Sequence, residues 1–348
     1  MALGTTCALI VAEVTLRVLN VGYGYSDEDS DPIFHHVHAK NYTFISYDPN
    51  GEWNAGRVHY DENGFVSGAD HYTDNDAPCR IAFLGDSFTE ARQVPYAASF
   101  VGRLASISKC AIRNYGVSSY SPVLYLLQWQ KIVQFTKPDL VILQLYSNDI
   151  GDEGDAGYAR VAKYDSKGHI VAVPGPQTMG SWSEFPRIIA RQSYLMRLVR
   201  RDALVISWWL KSKPDSLRAV GPSVEEFPTI SRLTSDTMKE LSSEVSANGS
   251  TFVFFVVPSK YRLTYPKRAS EVPEFSDEWK GWGADNDVHF IDMVPAFQRQ
   301  AQLGRTLFFQ RDVHFNALGH HVVAQEICKS YPKFFDPRGC AALIGNNP

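Results

Sequence analysis

The sequence predicts an α/β domain whose parallel sheet is covered by helices on both faces. Three observations predict it. Short apolar runs recur along the chain and are separated by stretches of helical spacing, and strands alternating with helices imply parallel pairing through crossovers. One segment, DLVILQLYSND, holds the continuous apolar run expected of a strand buried on both faces. The residues able to do chemistry follow the carboxyl ends of these runs, where open α/β sheets carry their sites.

The chain has 348 residues, 34 Lys+Arg against 38 Asp+Glu, and a formal net charge of −4. That length suits one large domain, or one domain with extensions. An apolar share of 44% and a charged share of 21% are those of a globular chain, which argues against extensive disorder. The balanced charge argues against nucleic acid as a partner. No long period repeats, which argues against solenoids and propellers. Only one segment comes near the length of a membrane span, so a polytopic membrane protein is excluded.

That segment opens the chain. Residues 1–22 read as a hydrophobic helix, with Glu13 and Arg17 four apart and therefore on one face. Three readings compete: a signal-anchor, a signal peptide, or a helix packing on its own domain. The basic start of a secretory signal is missing, as is a small-residue cleavage site. The two charges cost free energy in a bilayer core. Membrane association through this helix goes with an extracytoplasmic or membrane-anchored location; a packed helix leaves a cytoplasmic one open. Residues 23–79 are polar and turn-rich, and YDPNGEW and YDENGF carry hairpin signals. They read as a β-rich extension.

The main domain spans 80–335. RIAFLGDSFTE is a short buried strand running into a turn, Phe100–Ser106 a helix, and AIRNYG a second strand. Pro122–Phe135 starts with Pro at a first helical position and repeats apolar residues at helical spacing. DLVILQLYSND is the third strand. Residues 151–228 then interrupt the alternation as an insertion. Within it SYLMRLVRRDALVISWWLK reads as a helix, and eight basic residues stand against two acidic ones between Arg187 and Arg218. Such a helix can lie on an anionic membrane, form a lid, or pack on the core with a solvated face. Ile230–Ala247 reads as a helix stopped by Asn248-Gly249. TFVFFVVP and VHFID are the fourth and fifth strands, and Asn316–Lys329 the last helix. Residues 336–348 form a tail.

The strand ends carry the chemistry. Gly85-Asp86-Ser87 follows the first strand. A Ser in a tight strand-to-helix turn exposes its hydroxyl near free backbone N–H groups, which can hold an oxyanion. Asn114-Tyr115-Gly116 follows the second, where Gly116 lets substrate approach and offers an unobstructed N–H. Ser147-Asn148-Asp149 follows the third; the Asn148 amide is a further donor, while Asp149 fixes its loop. Asp312-Val313-His314 precedes the last helix. Alternate residues of an extended segment share a side, so Asp312 can orient His314 and His314 can activate Ser87. His35, His36 and His38 read as surface residues. His320 and His321 read as surface or packing residues.

Five cysteines are present: Cys7, Cys79, Cys110, Cys328 and Cys340. No CxxC and no Cys/His cluster at zinc spacing occurs, so no structural metal is expected. If the first and second strands are neighbours, Cys79 and Cys110 share one sheet end, where a bridge is geometrically feasible. Cys328 and Cys340 bracket a short segment. Two bridges would suit an oxidising compartment; buried free thiols are the alternative.

Together these blocks resemble the SGNH (GDSL-type) hydrolase superfamily. Gly85-Asp86-Ser87 matches its first block and Gly116 the glycine of its second. Tyr146-Ser147-Asn148-Asp149 matches the third, Gly-x-Asn-Asp, with Tyr146 in place of the glycine. Asp312 and His314 match the last, with Asp-x-His where Asp-x-x-His is common, a spacing that resembles alginate O-acetyltransferase-like proteins. The resemblance covers residues 80–330 apart from the insertion. It implies a flavodoxin-like three-layer α/β/α sandwich with a five-stranded parallel sheet of order 2-1-3-4-5. It also implies a Ser87-His314-Asp312 triad, and an oxyanion hole from Ser87 N–H, Gly116 N–H and the Asn148 amide.

The function expected is a serine esterase that removes an acyl group, such as acetyl, from a carbohydrate or small ester, with no cofactor. Alternatives are a glycan O-acyltransferase with the same triad, and a binding scaffold in which Ser87 and His314 lie far apart.

Overall fold

The computed structural model describes residues 2–19, 28–48, 51–68, 77–149, 157–176, 189, 191–199, 206, 230–271 and 273–345. Helix α1 (Ala2–Val18) opens the chain. Its Leu9, Ile10, Val11, Val14 and Val18 are exposed. The Glu13–Arg17 pair forms at 2.7 Å. Glu13 also accepts from the Ser193 hydroxyl and from the N–H groups of Tyr194 and Leu195. The charges of α1 thus face the insertion while its apolar side chains face outward. No helix among the described residues is long and apolar enough to cross a membrane.

The extension is two antiparallel pairs. β1 (Glu28–Asp31) pairs with β2 (His35–His38), and β3 (Tyr42–Tyr47) with β4 (Asn54–Tyr60). β3 alternates buried and half-buried residues, placing Tyr42 and Phe44 with Val58 and Tyr60 in a small core of their own. Asp61 closes the turn after β4 by accepting from the N–H groups of Asn63 and Phe65.

The main sheet begins with β5 (Arg80–Leu84) and continues through β6 (Ala111–Asn114) and β7 (Leu140–Leu145). A short turn of helix, α2 (Ser87–Glu90), follows β5; α3 (Phe100–Ala105) leads to β6 and α4 (Pro122–Lys131) to β7. After β7 the insertion contains a hairpin of β8 (Lys163–Tyr164) and β9 (Ile170–Ala172), which the sequence reading lacks. Then follow α5 (Arg232–Ala247), β10 (Thr251–Val256), α6 (Lys260–Thr264), α7 (Phe275–Asp285), β11 (His289–Phe290), α8 (Val294–Gln302), α9 (Ala317–Ser330) and α10 (Pro337–Gly345). The sheet order is β11-β10-β7-β5-β6, with every pairing parallel. Counted along the sheet's own strands this is the expected 2-1-3-4-5.

Alternate residues of each strand point to opposite faces, which divides the core in two. Ala82, Leu84, Val141, Leu143, Phe254 and Val256 pack under α4, α5 and α7. Ile81, Phe83, Ile142, Val253 and Phe255 pack under α3, α8 and α9. Three layers result. Cys79–Cys110 is a disulfide at the amino ends of β5 and β6, with Cα atoms 4.5 Å apart. Cys328–Cys340 joins α9 to α10 with Cα atoms 6.0 Å apart, so the expected tail is a stapled helix.

Two expectations are corrected. Residues 194–199 of the basic stretch are helical, but Arg197 is not on a solvated face. It is 8% exposed, stacked 4.6 Å over Tyr42, and donates to the Thr43 carbonyl. Arg191 likewise pairs with Asp29 at 2.6 Å. These guanidiniums bind the insertion to the extension. Trp208 and Trp209 lie outside the described residues. The second correction concerns His36 and His38, which are buried rather than surface residues. Each has a partner far away in sequence that makes burial affordable: Ser118 for His36 and Glu90 for His38.

Candidate active site

The site is built from three turns at the carboxyl ends of β5, β6 and β7, and the segment before α9. The first turn is shaped by Gly85. Its φ is +153°, and a Cβ there would lie 2.2 Å from Thr89 Oγ1 and 2.6 Å from Gln144 Oε1, so only glycine fits. Asp86 is buried and caps α2, its Oδ1 accepting from Phe88 N–H at 2.8 Å. Its role is to set the turn. Ser87 follows at the first helical position, where backbone N–H groups have no intrahelical acceptor.

His314 meets Ser87 from the other side. Ser87 Oγ lies 2.7 Å from His314 Nε2, and His314 Nδ1 lies 2.5 Å from Asp312 Oδ1. The same Asp312 oxygen accepts from His314 N–H at 2.8 Å, so carboxylate, backbone and ring are fixed together. Burial pushes the Asp312 pKa up. The hydrogen bonds from His314, its charge and that of Arg92 outweigh burial and hold it below the usual carboxylate value. An ionised Asp312 takes the Nδ1 proton as a hydrogen bond and leaves Nε2 free to accept from the Ser87 hydroxyl. Phe88, 4.8 Å from the His314 ring, packs behind it. His320 lies behind that layer. Burial lowers its pKa to about 3, with help from the nearby His314 and Arg103, so it stays neutral. It is a packing residue between Phe100 and Phe315. His321 is also buried.

Gly116 corrects a sequence expectation. Its N–H is not unobstructed: it donates to Asn114 Oδ1 at 2.9 Å. Its missing side chain makes room for protein rather than substrate. A Cβ would lie 2.3 Å from Glu90 N and 2.7 Å from Thr89 C, so the loop after β6 rests on the backbone of α2. Asn114 extends the same contact, donating to the Thr89 carbonyl at 2.7 Å.

Asn148 is exposed at the tip of the third turn. Asp149 beneath it is buried, and its Oδ2 accepts from Tyr146 N–H at 3.1 Å and from Tyr125 Oη at 3.3 Å. Tyr146, where the resemblance leads one to expect glycine, leans on Phe88 with ring centroids 4.7 Å apart. It contributes to the wall beside Ser87 and His314.

Several residues that hold this site are absent from the sequence reading. Glu52 and Lys260 bind the backbone around Asp312; Gln144 accepts from Thr89 Oγ1 at 2.9 Å; Glu90 ends α2 and is 1% exposed. None of these four carries a local signal in the sequence, because each acts through a partner on another element. Among the described residues no cluster of metal-ligating side chains occurs.

A model of the GDSL-like lipase/acylhydrolase family matches residues 83–322, from the end of β5 into α9. The chain belongs to that family. It is therefore an ester hydrolase, and the match takes in all four segments of the site. Among solved structures, LAE5, an α/β hydrolase enzyme from the metagenome of Lake Arreo, Spain, is 17% identical. The alignment covers 74% of this chain and 96% of that one, with a TM-score of 0.39. Axe2, an acetylxylan esterase from Geobacillus stearothermophilus, is 15% identical over 74% of this chain and 95% of its own, at a TM-score of 0.38. A GDSL-like lipase from Bacteroides thetaiotaomicron is 12% identical over 73% and 88%, at 0.37. No curated protein matches the chain.

Proposed function

We propose that the chain is a serine esterase that cleaves a short acyl ester of a carbohydrate or small alcohol. Ser87 Oγ attacks the ester carbonyl while His314 Nε2 takes its proton, and Asp312 stabilises the imidazolium. The oxyanion is held by Ser87 N–H, the Asn148 amide and Gly116 N–H, the last exchanging its Asn114 acceptor for the substrate oxygen. The alcohol leaves with the proton from His314, and water then repeats the sequence on the acyl-serine. The observation carrying this reading is the continuous relay from Ser87 to His314 to Asp312, at 2.7 and 2.5 Å. It is tested by hydrolysis of short and long p-nitrophenyl esters by wild type and Ser87→Ala. Activity confined to wild type is expected; equal activity in both sinks the mechanism.

Acyl transfer to a sugar hydroxyl in place of water is a second reading, favoured by the single residue between Asp312 and His314. It fails if added glycan leaves products and rates unchanged. We further propose that α1 holds the protein at a membrane outside the cytoplasm. Its exposed apolar side chains and the two disulfides support this.

A further inference from the structure

We propose that Glu90 is a positioning residue, which the β extension grips so that the Ser87 turn and the Gly116 loop keep one spacing. The inference rests on the serine-esterase reading above and assigns the extension a part in it.

Glu90 closes the turn that Ser87 begins. Its buried carboxylate reaches three elements. Oε1 accepts from Tyr60 Oη at 2.6 Å. Oε2 accepts from Ser118 N–H at 3.2 Å and from the Ser118 hydroxyl. Oε2 also lies 3.5 Å from His38 Nε2. Tyr60 ends β4 and His38 ends β2, and their rings stack in parallel with centroids 4.2 Å apart. The His38 Nδ1 is placed by the Gly64 carbonyl at 3.1 Å. A buried carboxylate left alone is costly; His38 and the nearby Arg92 compensate this one.

Ser118 lies two residues beyond Gly116, whose Cα rests on the Glu90 backbone. Glu90 therefore fixes the Gly116 loop twice, through its own N–H side and through its carboxylate. The extension grips the same loop again: His36 Nε2 binds the Ser118 carbonyl at 2.8 Å, and Tyr120 Oη donates to the His36 carbonyl at 2.9 Å. The distance between the Ser87 nucleophile and the Gly116 donor is thus set by residues that do not touch substrate. Misplacement of reacting groups by about 1 Å can cost on the order of 10²-fold in rate.

The test compares wild type, Glu90→Gln, Ser118→Ala, Tyr60→Phe and the double variant His38→Gln/Glu90→Gln. Each is assayed for kcat and KM on p-nitrophenyl acetate, for the rate of covalent labelling by a fluorophosphonate, and for its thermal midpoint. Glu90→Gln should lower kcat and the labelling rate by about tenfold or more with KM little changed. Ser118→Ala and Tyr60→Phe, which keep the charged pair, should give smaller losses of the same kind. The double variant removes both charges of the His38–Glu90 pair and should regain thermal stability relative to Glu90→Gln without regaining kcat. Folded Glu90→Gln and Ser118→Ala that label and turn over like wild type overturn the proposal. So does a double variant that regains both stability and rate. Wild type that neither labels nor hydrolyses overturns the serine-esterase reading, and this proposal with it.

Discussion

Glu52, on the turn between β3 and β4, accepts the backbone N–H of Asp312 at 3.2 Å and that of Arg311 at 2.7 Å. Lys260 holds the other side of the same segment, its Nζ donating to the Asp312 and Gln310 carbonyls at 2.9 Å each. The loop that orients His314 is therefore pinned between a carboxylate from the extension and an ammonium from α6. Glu52→Ala should lower kcat by about tenfold while Lys260→Ala gives a similar loss, because each frees one side of the Asp312 backbone. Steady-state kinetics check this; unchanged kcat in both variants means the segment needs no such support.

Glycine at 116 is required by contact with α2. Gly116→Ala drives a methyl to 2.3 Å from Glu90 N and 2.7 Å from Thr89 C, both backbone atoms that have little room to yield. We expect a loss of turnover on the order of 10²-fold, as when an oxyanion donor is removed, with a lowered thermal midpoint. Full activity in Gly116→Ala would show that the loop stands clear of α2 in solution.

The His38–Glu90 pair makes stability depend on pH. Burial lowers the His38 pKa, yet the Glu90 charge and hydrogen bond outweigh it and raise it above 6.5. Burial raises the Glu90 pKa, yet His38, Arg92 and Ser118 bring it far below 4.5. Glu28, His36 and Tyr60 are the other titratable groups acting on the pair. A raised histidine contributes fully below its unfolded pKa and loses that contribution as pH rises through the folded one. A depressed carboxylate contributes above its unfolded pKa and loses that contribution as pH falls through the folded one. The full contribution thus spans the window from 4.5 to 6.5. The thermal midpoint of wild type minus that of His38→Gln should be largest there and should shrink in alkaline buffer. A gap that widens with rising pH contradicts the ion pair.

Disulfide bonding leaves Cys7 as the free cysteine. Denatured, unreduced protein should titrate one thiol per chain; four or five thiols would exclude both bridges. In the chain-entropy picture a 31-residue separation is worth about 3.7 kcal/mol and a 12-residue one about 2.8 kcal/mol. Cys79→Ala/Cys110→Ala should therefore lower the thermal midpoint more than Cys328→Ala/Cys340→Ala.

Membrane association through α1 predicts that the full chain sediments with membranes and that a version lacking residues 1–22 does not. Both forms remaining in the soluble fraction would end that proposal.

Much of this was legible before any coordinates. The five apolar runs mark the sheet because period and composition are local properties. Its strand order is not local, and came from the resemblance. Ser87, Asp312 and His314 stand out because a strand-end serine and an alternating Asp-x-His segment carry their chemistry in a few neighbouring residues. Glu90, Glu52 and His38 were not legible. Their partners lie 26 to 260 positions away, and no periodicity links a histidine in a polar extension to a carboxylate after the first sheet strand. Gly116 was legible as a special position but not for its reason, since the α2 backbone that excludes a side chain there arrives from another strand.

The disulfide at the amino ends of β5 and β6 has one more consequence. Ser87 follows the opposite end of β5, a full strand length of about 16 Å away. The covalent staple and the nucleophile thus sit at opposite ends of one strand, so loss of the Cys79–Cys110 bridge should be felt in the thermal midpoint before it is felt in turnover.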